Sequence, residues 1–248
     1  MRVEGLALAL RPRSPSEACD LGAALVRAHA ASIWRCYAPL LVAVTVLALC
    51  TIETYGWLPA LIIFWLKPWL DRSLLFVLSR AVFGEATHWR DLWQARRLVL
   101  GGQWLRTLLW RRFSPWRAFT QPVEQLEAQR GSARRKRVRL LMNDHRGAAA
   151  GLQTAFTHAE AAITYGLVAL VWWFAPEGQR SSVWDWFFHP SAHATGELGM
   201  NLAMTAAYTA VVLFLEPFYV AAGFAMYLNR RVALEAWDIE QEFRGAFA

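Results

Sequence analysis

The sequence predicts an all-α protein, a polytopic transmembrane helical bundle made of two tandem hairpin repeats with interfacial amphipathic helices. Three observations lead to this fold class. The 248 residues are 56% hydrophobic, and they include 14 tryptophans and 14 phenylalanines. The apolar residues gather in runs long enough to cross a bilayer. Tryptophan and tyrosine concentrate at the two lipid–water boundaries of membrane proteins, so the aromatic excess indicates the same class.

The first predicted element is a cytoplasmic or interfacial helix within residues 1–36. Ser14 is placed to cap it, Pro15 suits the first helical position, and Glu17 completes a capping box. The apolar run LALAL near the N-terminus is too short for a secretory signal. We therefore expect the first apolar span to drive insertion into the membrane.

The first hairpin repeat is predicted over residues 37–97. An apolar run ends at Cys50, a turn follows near Glu53, and a second apolar run covers 57–83. The alternative, one broken helix over 37–66, would place most of the arginines outside the cell. Because short cytoplasmic loops carry the excess of basic residues, the hairpin is the preferred interpretation.

Residues 98–150 form a basic segment that we expect in the cytoplasm. Residues 98–113 are apolar but interrupted, which is typical of an interfacial helix; whether this stretch enters the bilayer stays open. The stretch RRFSPWRAF (111–119) suits an anchor at the level of the lipid headgroups. Basic side chains in the segment are expected to contact anionic headgroups or a protein partner. These are Arg111, Arg112, Arg134, Arg135, Lys136, Arg137 and Arg139.

The second hairpin repeat and a cytoplasmic tail are predicted over residues 151–248. Two apolar spans, 152–175 and 198–228, flank an outer loop that carries one arginine. The prediction is therefore four spans in a bacterial inner membrane, with both termini in the cytoplasm. The formal charge of +7 then favours anionic lipid over nucleic acid, since no stacking aromatics interleave with the basic run ARRKRVR.

Two short stretches resemble each other and indicate the internal repeat. FWLKPWL (64–70) and FLEPFYV (214–220) both contain an aromatic residue, a leucine, a charge, a proline and a second aromatic. Downstream, SRAVFGEA (79–86) matches NRRVALEA (229–236). Two copies with two spans each would insert the same way round, related by an axis along the membrane normal.

Lys67 and Glu216 occupy equivalent positions in the two copies, and Pro68 and Pro217 are expected to kink the helices. A lone charge near the bilayer centre is costly, so each needs a partner. One interpretation pairs Lys67 with Glu216 between the copies. A second pairs Lys67 with Asp71 in one helix while Glu216 is protonated.

A third interpretation is that Pro68 breaks the helix and leaves Lys67 near water. In each case an intramembrane polar cleft is predicted, lined by Lys67, Asp71, Arg72 and Glu216.

Catalytic and cofactor motifs are missing from the sequence, so we expect no enzyme activity and no cofactor. His189, His193 and Glu197 have metal-ligand spacing but lack further ligands, and a solvated loop is the preferred interpretation. The three widely spaced cysteines suit neither a disulfide framework nor a zinc site.

Four stretches carry a resemblance to known proteins: DLGAALVRAH, WLKPWLDRSLLFVLSRAVFGE, RRFSPWRAF and EPFYVAAGFAMYLNRRVALEAWDIEQEFR. The chain resembles a group of uncharacterised multi-pass inner-membrane proteins of proteobacteria. Its layout is similar to the membrane domain found beside some glycerophosphodiester phosphodiesterases. The resemblance implies an inner-membrane location and membrane or cytoplasmic protein partners. The group has no established catalytic residues to transfer to this chain.

The function expected from the sequence is that of a non-catalytic subunit or scaffold of a membrane complex. The alternative is a transporter or lipid-handling protein that uses the polar cleft between the two proline-containing helices.

Overall fold

The computed structural model describes residues 13–101, 108–109, 113–174 and 198–235. Of these residues 82% are helical and none lies in a strand, which confirms the all-α class. Helices of four or more residues in the described ranges are numbered here in chain order. They are α1 (Pro15–Ala28), α2 (Ala30–Leu49), α3 (Leu58–Ala81), α4 (Trp89–Gln94), α5 (Arg96–Val99), α6 (Arg117–Gln125), α7 (Gly131–Met142), α8 (Arg146–Trp173) and α9 (Leu198–Glu235).

Helix α1 begins as the sequence predicts. The Ser14 hydroxyl accepts the backbone N–H of Glu17 at 3.3 Å, and the Glu17 carboxylate accepts the backbone N–H of Ser14 at 3.1 Å. Pro15 occupies the first turn. A backbone N–H there would have no acceptor within the helix, so the missing N–H of proline costs no hydrogen bond. These contacts confirm the predicted capping box.

Helices α2 and α3 are separated by turns over 50–57, around the predicted Glu53. Backbone hydrogen bonds tighten this connection, for example from Tyr55 N to Thr51 O at 3.3 Å and from Leu58 N to Tyr55 O at 3.0 Å. Parts of both helices belong to the same compact unit, and the hairpin repeat stays a prediction. Helix α3 then continues through Pro68, so the prediction that Pro68 breaks the helix is wrong. Proline is tolerated inside apolar helices where neighbouring groups satisfy the freed carbonyl.

The chain divides into two compact units, and each of the helices α2, α3, α8 and α9 contributes to both. The polar unit comprises the described residues within Met1–Tyr37, Pro68–Ala155 and Glu216–Ala248, and the apolar unit those within Ala38–Lys67 and Phe156–Leu215. The division of α3 falls directly before Pro68 and that of α9 directly before Glu216. The unit boundaries therefore pass through both of the similar stretches, FWLKPWL and FLEPFYV.

The polar unit contains short α6, which is buried along almost its whole length. Glycines allow close backbone approach in this unit. A Cβ atom on Gly223 of α9 would lie 2.3 Å from the Cβ of Ala118, and one on Gly22 of α1 would lie 2.7 Å from the carbonyl of Ala221. Helices α1 and α6 therefore both pack directly against the backbone of α9.

The apolar unit leaves many large hydrophobic side chains exposed. Leu47 is 71% exposed, Phe214 59% and Leu170 56%, and others are exposed to a smaller degree. Within this unit Thr45 and Thr209 approach to 3.4 Å between their hydroxyl oxygens.

Two helices in the described part of the chain are long and apolar enough to cross a membrane, by length and composition alone. They are α2, with a mean hydropathy of 1.7, and α9, with 1.8. Helix α3 has a comparable length, but Lys67, Asp71 and Arg72 interrupt its apolar sequence.

Candidate functional site

The candidate site is a buried cluster in the polar unit in which one arginine holds two carboxylates. Arg117 Nε lies 3.0 Å from Asp71 Oδ2, and Arg117 Nη2 donates a hydrogen bond to Glu216 Oε1 at 3.1 Å. The three residues are at most 5% exposed. We call these residues the Arg117 cluster. Charge-assisted hydrogen bonds of this kind are strong, and burial makes an unpaired member costly.

Three helices supply the Arg117 cluster. Asp71 lies on α3 and Glu216 on α9, and Arg117 is the first residue of α6. Each carboxylate therefore lies on a long helix, while the arginine comes from the short buried helix. The cluster ties the start of α6 to both long helices.

Tyr219 contacts Arg117 through its ring and the first turn of α6 through its hydroxyl. Its ring centroid lies 5.2 Å from Arg117 Cζ, within the range of a cation–π contact. Its hydroxyl accepts the backbone N–H of Ala118 at 3.3 Å and donates to Gln153 on α8. The first N–H groups of a helix have no intrahelical acceptor, so this hydroxyl acts as an N-cap supplied by another helix.

Arg72, the residue after Asp71, has a different set of partners. Its Nε donates to the carbonyl of Val99 at 2.5 Å, and its Nη1 lies 3.7 Å from Glu124 Oε1. The carbonyl of Arg72 accepts from Gln125 Nε2 at 2.7 Å. Arg72 thereby connects α3 to α5 and α6.

Lys67 belongs to the apolar unit, where it forms an ion pair with Glu160 of α8 at 2.5 Å. Lys67 is 4% exposed, and the side chain of Glu160 is 16% exposed. Pairing of Lys67 with Glu216 or with Asp71 would join residues of different units, and both stay predictions. Of the four cleft residues, the structure brings Asp71 and Glu216 together through Arg117.

Sequence reasoning missed Arg117 and Glu160 as partners. Arg117 was grouped with a predicted headgroup anchor, but Arg117 and Phe119 are buried, and of that stretch Phe113 is the clearly exposed aromatic, at 75%. That prediction is wrong for Arg117 and Phe119 because α6 packs inside the polar unit. Glu160 had a usable signal: it is an acid in an apolar helix and needs a partner as much as Lys67 does.

The predicted basic contact residues on α7 divide into two faces. Arg134 and Arg137 turn inward: Arg134 Nε lies 3.6 Å from Glu124 Oε2, and Arg137 forms two hydrogen bonds to Glu127, at 2.8 and 3.0 Å. The side chains of Arg134 and Arg137 are still 23% and 22% exposed, so their contact with headgroups or a partner stays a prediction. Arg135, Lys136 and Arg139 are exposed, and we call them the basic face.

An ion-pair network fixes α7 to the end of α9. Arg137 contacts Glu235 as well as Glu127, and Arg231 donates to Glu235 Oε2 at 2.6 Å. The Tyr227 hydroxyl donates to Glu127 Oε1 at 2.6 Å. Hydrogen bonding to Glu127 raises the pKa of Arg137, so its charge is permanent in the physiological range.

Several predicted residues lie outside the described part of the chain. These are Arg111, Arg112, His189, His193 and Glu197. Among the residues that the structure does describe, no three or more His, Cys, Asp or Glu side chains are grouped to hold a metal ion.

Comparison with known protein families, with curated proteins and with solved structures gives no match for this chain. The resemblance to proteobacterial inner-membrane proteins therefore stays a prediction.

Proposed function

We propose that this chain is a multi-pass α-helical protein of the bacterial inner membrane, with both termini in the cytoplasm. The exposed apolar side chains of the apolar unit support a membrane location. Soluble monomers rarely leave large contiguous apolar patches in water. Helices α2 and α9 have the length and hydropathy of spans.

Within that membrane the chain acts as a non-catalytic subunit or scaffold of a membrane complex. The observation that carries this proposal is the Arg117 cluster. Asp71 is 0% and Glu216 2% exposed, and both carboxylates are engaged by a buried arginine. A transporter that worked through the predicted cleft would need its cargo to reach these carboxylates. Here the carboxylates of Asp71 and Glu216 pair with buried Arg117 instead, and these contacts hold three helices together.

The basic face supplies the contact to a partner. Arg135, Lys136 and Arg139 are exposed on α7, while Arg134 and Arg137 anchor the other side of that helix. A fixed helix with a cationic outer face suits an acidic surface of a cytoplasmic protein or the anionic membrane surface.

The tandem repeat belongs to this proposal, and two ion pairs support it. Arg80 Nε lies 3.2 Å from Glu85 Oε2 in the first copy, and Arg231 pairs with Glu235 in the second. Glu85 and Glu235 are the aligned acids, whereas Arg231 follows by one residue the arginine aligned with Arg80. Both copies thus place an arginine–glutamate pair after the proline-containing helix.

Photocrosslinking in the native host tests the scaffold proposal. A photoreactive phenylalanine derivative replaces Leu140, which is 59% exposed beside the basic face and carries no charge. The matched control has the same group at exposed Ala24 on α1. We expect one protein adduct of defined mass from position 140, in proportion to the tagged chain, and none from position 24. A chain that purifies alone and crosslinks only to lipid at position 140 would contradict the scaffold role and favour lipid handling.

A further inference from the structure

The polar unit contains a cavity of about 30 Å³ that is partly open to its exterior. Its charged lining residues are all positive: three are arginines, and no described lining residue carries a carboxylate. The polar lining residues are Arg72, Arg117, Arg134, Ser114, Thr120 and Gln121. They come from α3, α6, α7 and the segment before α6.

The three arginines lie within ion-pair distance of carboxylates that do not line the cavity. Arg117 is held by Asp71 and Glu216, and Glu124 lies near both Arg72 and Arg134. An arginine carries five N–H donors in a fixed fork, so it can hold a carboxylate and bind an anion at the same time. The cavity is therefore preorganised for negative charge.

Gln121 gives an independent indication of a ligand. It is 9% exposed, it lines the cavity, and its Nε2 atom has no hydrogen-bond partner among the described residues. A buried amide donor without a partner is destabilising, so an acceptor in the cavity would satisfy it. Ser114 offers a second donor: its Oγ accepts the backbone N–H of Trp116 at 3.4 Å, and no described residue accepts its own proton.

We propose that this cavity binds a phosphate group. Three guanidinium groups from three different helices, one amide donor and one hydroxyl suit the several oxygens of a tetrahedral phosphate. The cavity has room for about two water molecules and is partly open, so a phosphate group can bind at its mouth either as a free ion or as the end of a ligand whose remainder lies outside. The phosphate belongs to a lipid headgroup or to a soluble phosphate compound, and the two sources are separable by experiment.

The test is a thermal-unfolding titration of the purified full chain in a nonionic detergent. Its probes are dioctanoyl phosphatidylglycerol, inorganic phosphate, and dioctanoylglycerol as the matched lipid without phosphate. A ligand that binds the folded state raises the unfolding midpoint in a concentration-dependent manner, from which the dissociation constant follows. We expect dioctanoyl phosphatidylglycerol or inorganic phosphate to stabilise the chain and dioctanoylglycerol not to. Stabilisation by the phospholipid alone assigns a lipid headgroup, and stabilisation by inorganic phosphate assigns a soluble source.

Two variants and one control distinguish the cavity from general surface charge. Arg134→Gln removes a lining cation, and Gln121→Glu places a carboxylate in the cavity with little change of shape. Each is expected to weaken binding about tenfold or more. Arg135→Gln makes the same charge change on the basic face, one residue away, and is expected to alter the dissociation constant less than about twofold.

Three results would overturn the proposal. These are equal stabilisation by the lipid without phosphate, no stabilisation by either phosphate probe, and an equal loss of binding in Arg135→Gln and Arg134→Gln. If Arg134→Gln fails to fold, the near-isosteric Gln121→Glu variant alone decides, since a carboxylate among the arginines must compete with the anion. Phosphate binding is independent of the scaffold role, because a chain without protein partners can still bind the probe.

Discussion

At Arg117, two buried carboxylates converge on one guanidinium group. The Arg117→Met variant would leave Asp71 and Glu216 without that cation at 2% exposure or less. Removing one partner of a buried ion pair typically costs about 3–5 kcal/mol, because an uncompensated charge stays buried. We expect a loss of that order in the free energy of unfolding, measured by chemical denaturation in detergent.

Two further variants separate the ion pairs from side-chain volume. Arg135→Met, on the basic face, should change the free energy of unfolding by less than about 0.5 kcal/mol. The combination of Arg117→Met with Asp71→Asn and Glu216→Gln removes all three charges, and it should recover much of the loss. An equal loss in the single and triple variants would show that packing, not charge, holds the three helices.

The hydroxyl of Tyr219 caps the first turn of α6 from a different helix. Tyr219→Phe keeps the ring under Arg117 but leaves the N–H of Ala118 without this acceptor. The expected loss is about 1–3 kcal/mol in the free energy of unfolding, measured as above. Tyr55→Phe is the control, since Tyr55 is half exposed and lies in the connection between α2 and α3. Equal effects of the two substitutions would argue against the capping role.

At the scale of elements, α6 lies against α9 because Gly223 has no side chain. In Gly223→Ala the new Cβ would meet the Cβ and the backbone carbon of Ala118, at 2.3 and 2.7 Å. Overpacking of this kind typically costs about 1–3 kcal/mol. We expect a loss in that range together with a weakened Arg117 cluster, visible as a lower unfolding midpoint.

Gly166→Ala is the matched control for this substitution. Gly166 lies in helix α8, and a Cβ there would meet no atom of the described residues within 4 Å. Because alanine is the better helix former, this variant should be stabilised by about 0.4–1 kcal/mol. A stabilising Gly223→Ala substitution would mean that α6 and α9 do not pack as closely as described.

Local signals predicted some elements and missed others. The start of α1 was predicted correctly because its cap involves residues three positions apart, Ser14 and Glu17. The burial of α6 was not predicted, because no local pattern distinguishes Arg117 from the neighbouring arginines of the same basic segment. Its distinguishing feature is Glu216, 99 residues away in the chain.

At the scale of the whole molecule, the proposed four-span topology places Cys50 at the outer face and α7 in the cytoplasm. Cys50 is exposed and Cys36 is buried. Burial and the nearby Asp20 raise the pKa of the Cys19 thiol, which lowers its thiolate fraction and slows its alkylation. In a Cys19→Ser, Cys36→Ser background, we expect a membrane-impermeant maleimide to label Cys50 in intact spheroplasts.

The complementary variant carries Arg135→Cys in a chain without the native cysteines. It should be labelled only after the spheroplasts are opened, because the arginine-rich segment is expected on the cytoplasmic side. Labelling of both positions from the same side would contradict the four-span arrangement. If Cys50 is not labelled before the spheroplasts are opened, the turn between α2 and α3 does not lie on the outer side.

The amino-acid sequence by itself determined the helical class, the capped start of α1, the turn between α2 and α3, and the need for partners at Lys67 and Glu216. These follow from apolar periodicity, capping and the cost of buried charge, which act within a few residues. Only the tertiary structure identified Glu160 and Arg117 as partners. In the structure Lys67 forms an ion pair with Glu160, and Arg117 forms ion pairs with Asp71 and Glu216. Such pairs depend on helix packing between distant segments, where one glycine or one tyrosine hydroxyl sets the approach, and no local pattern encodes that choice.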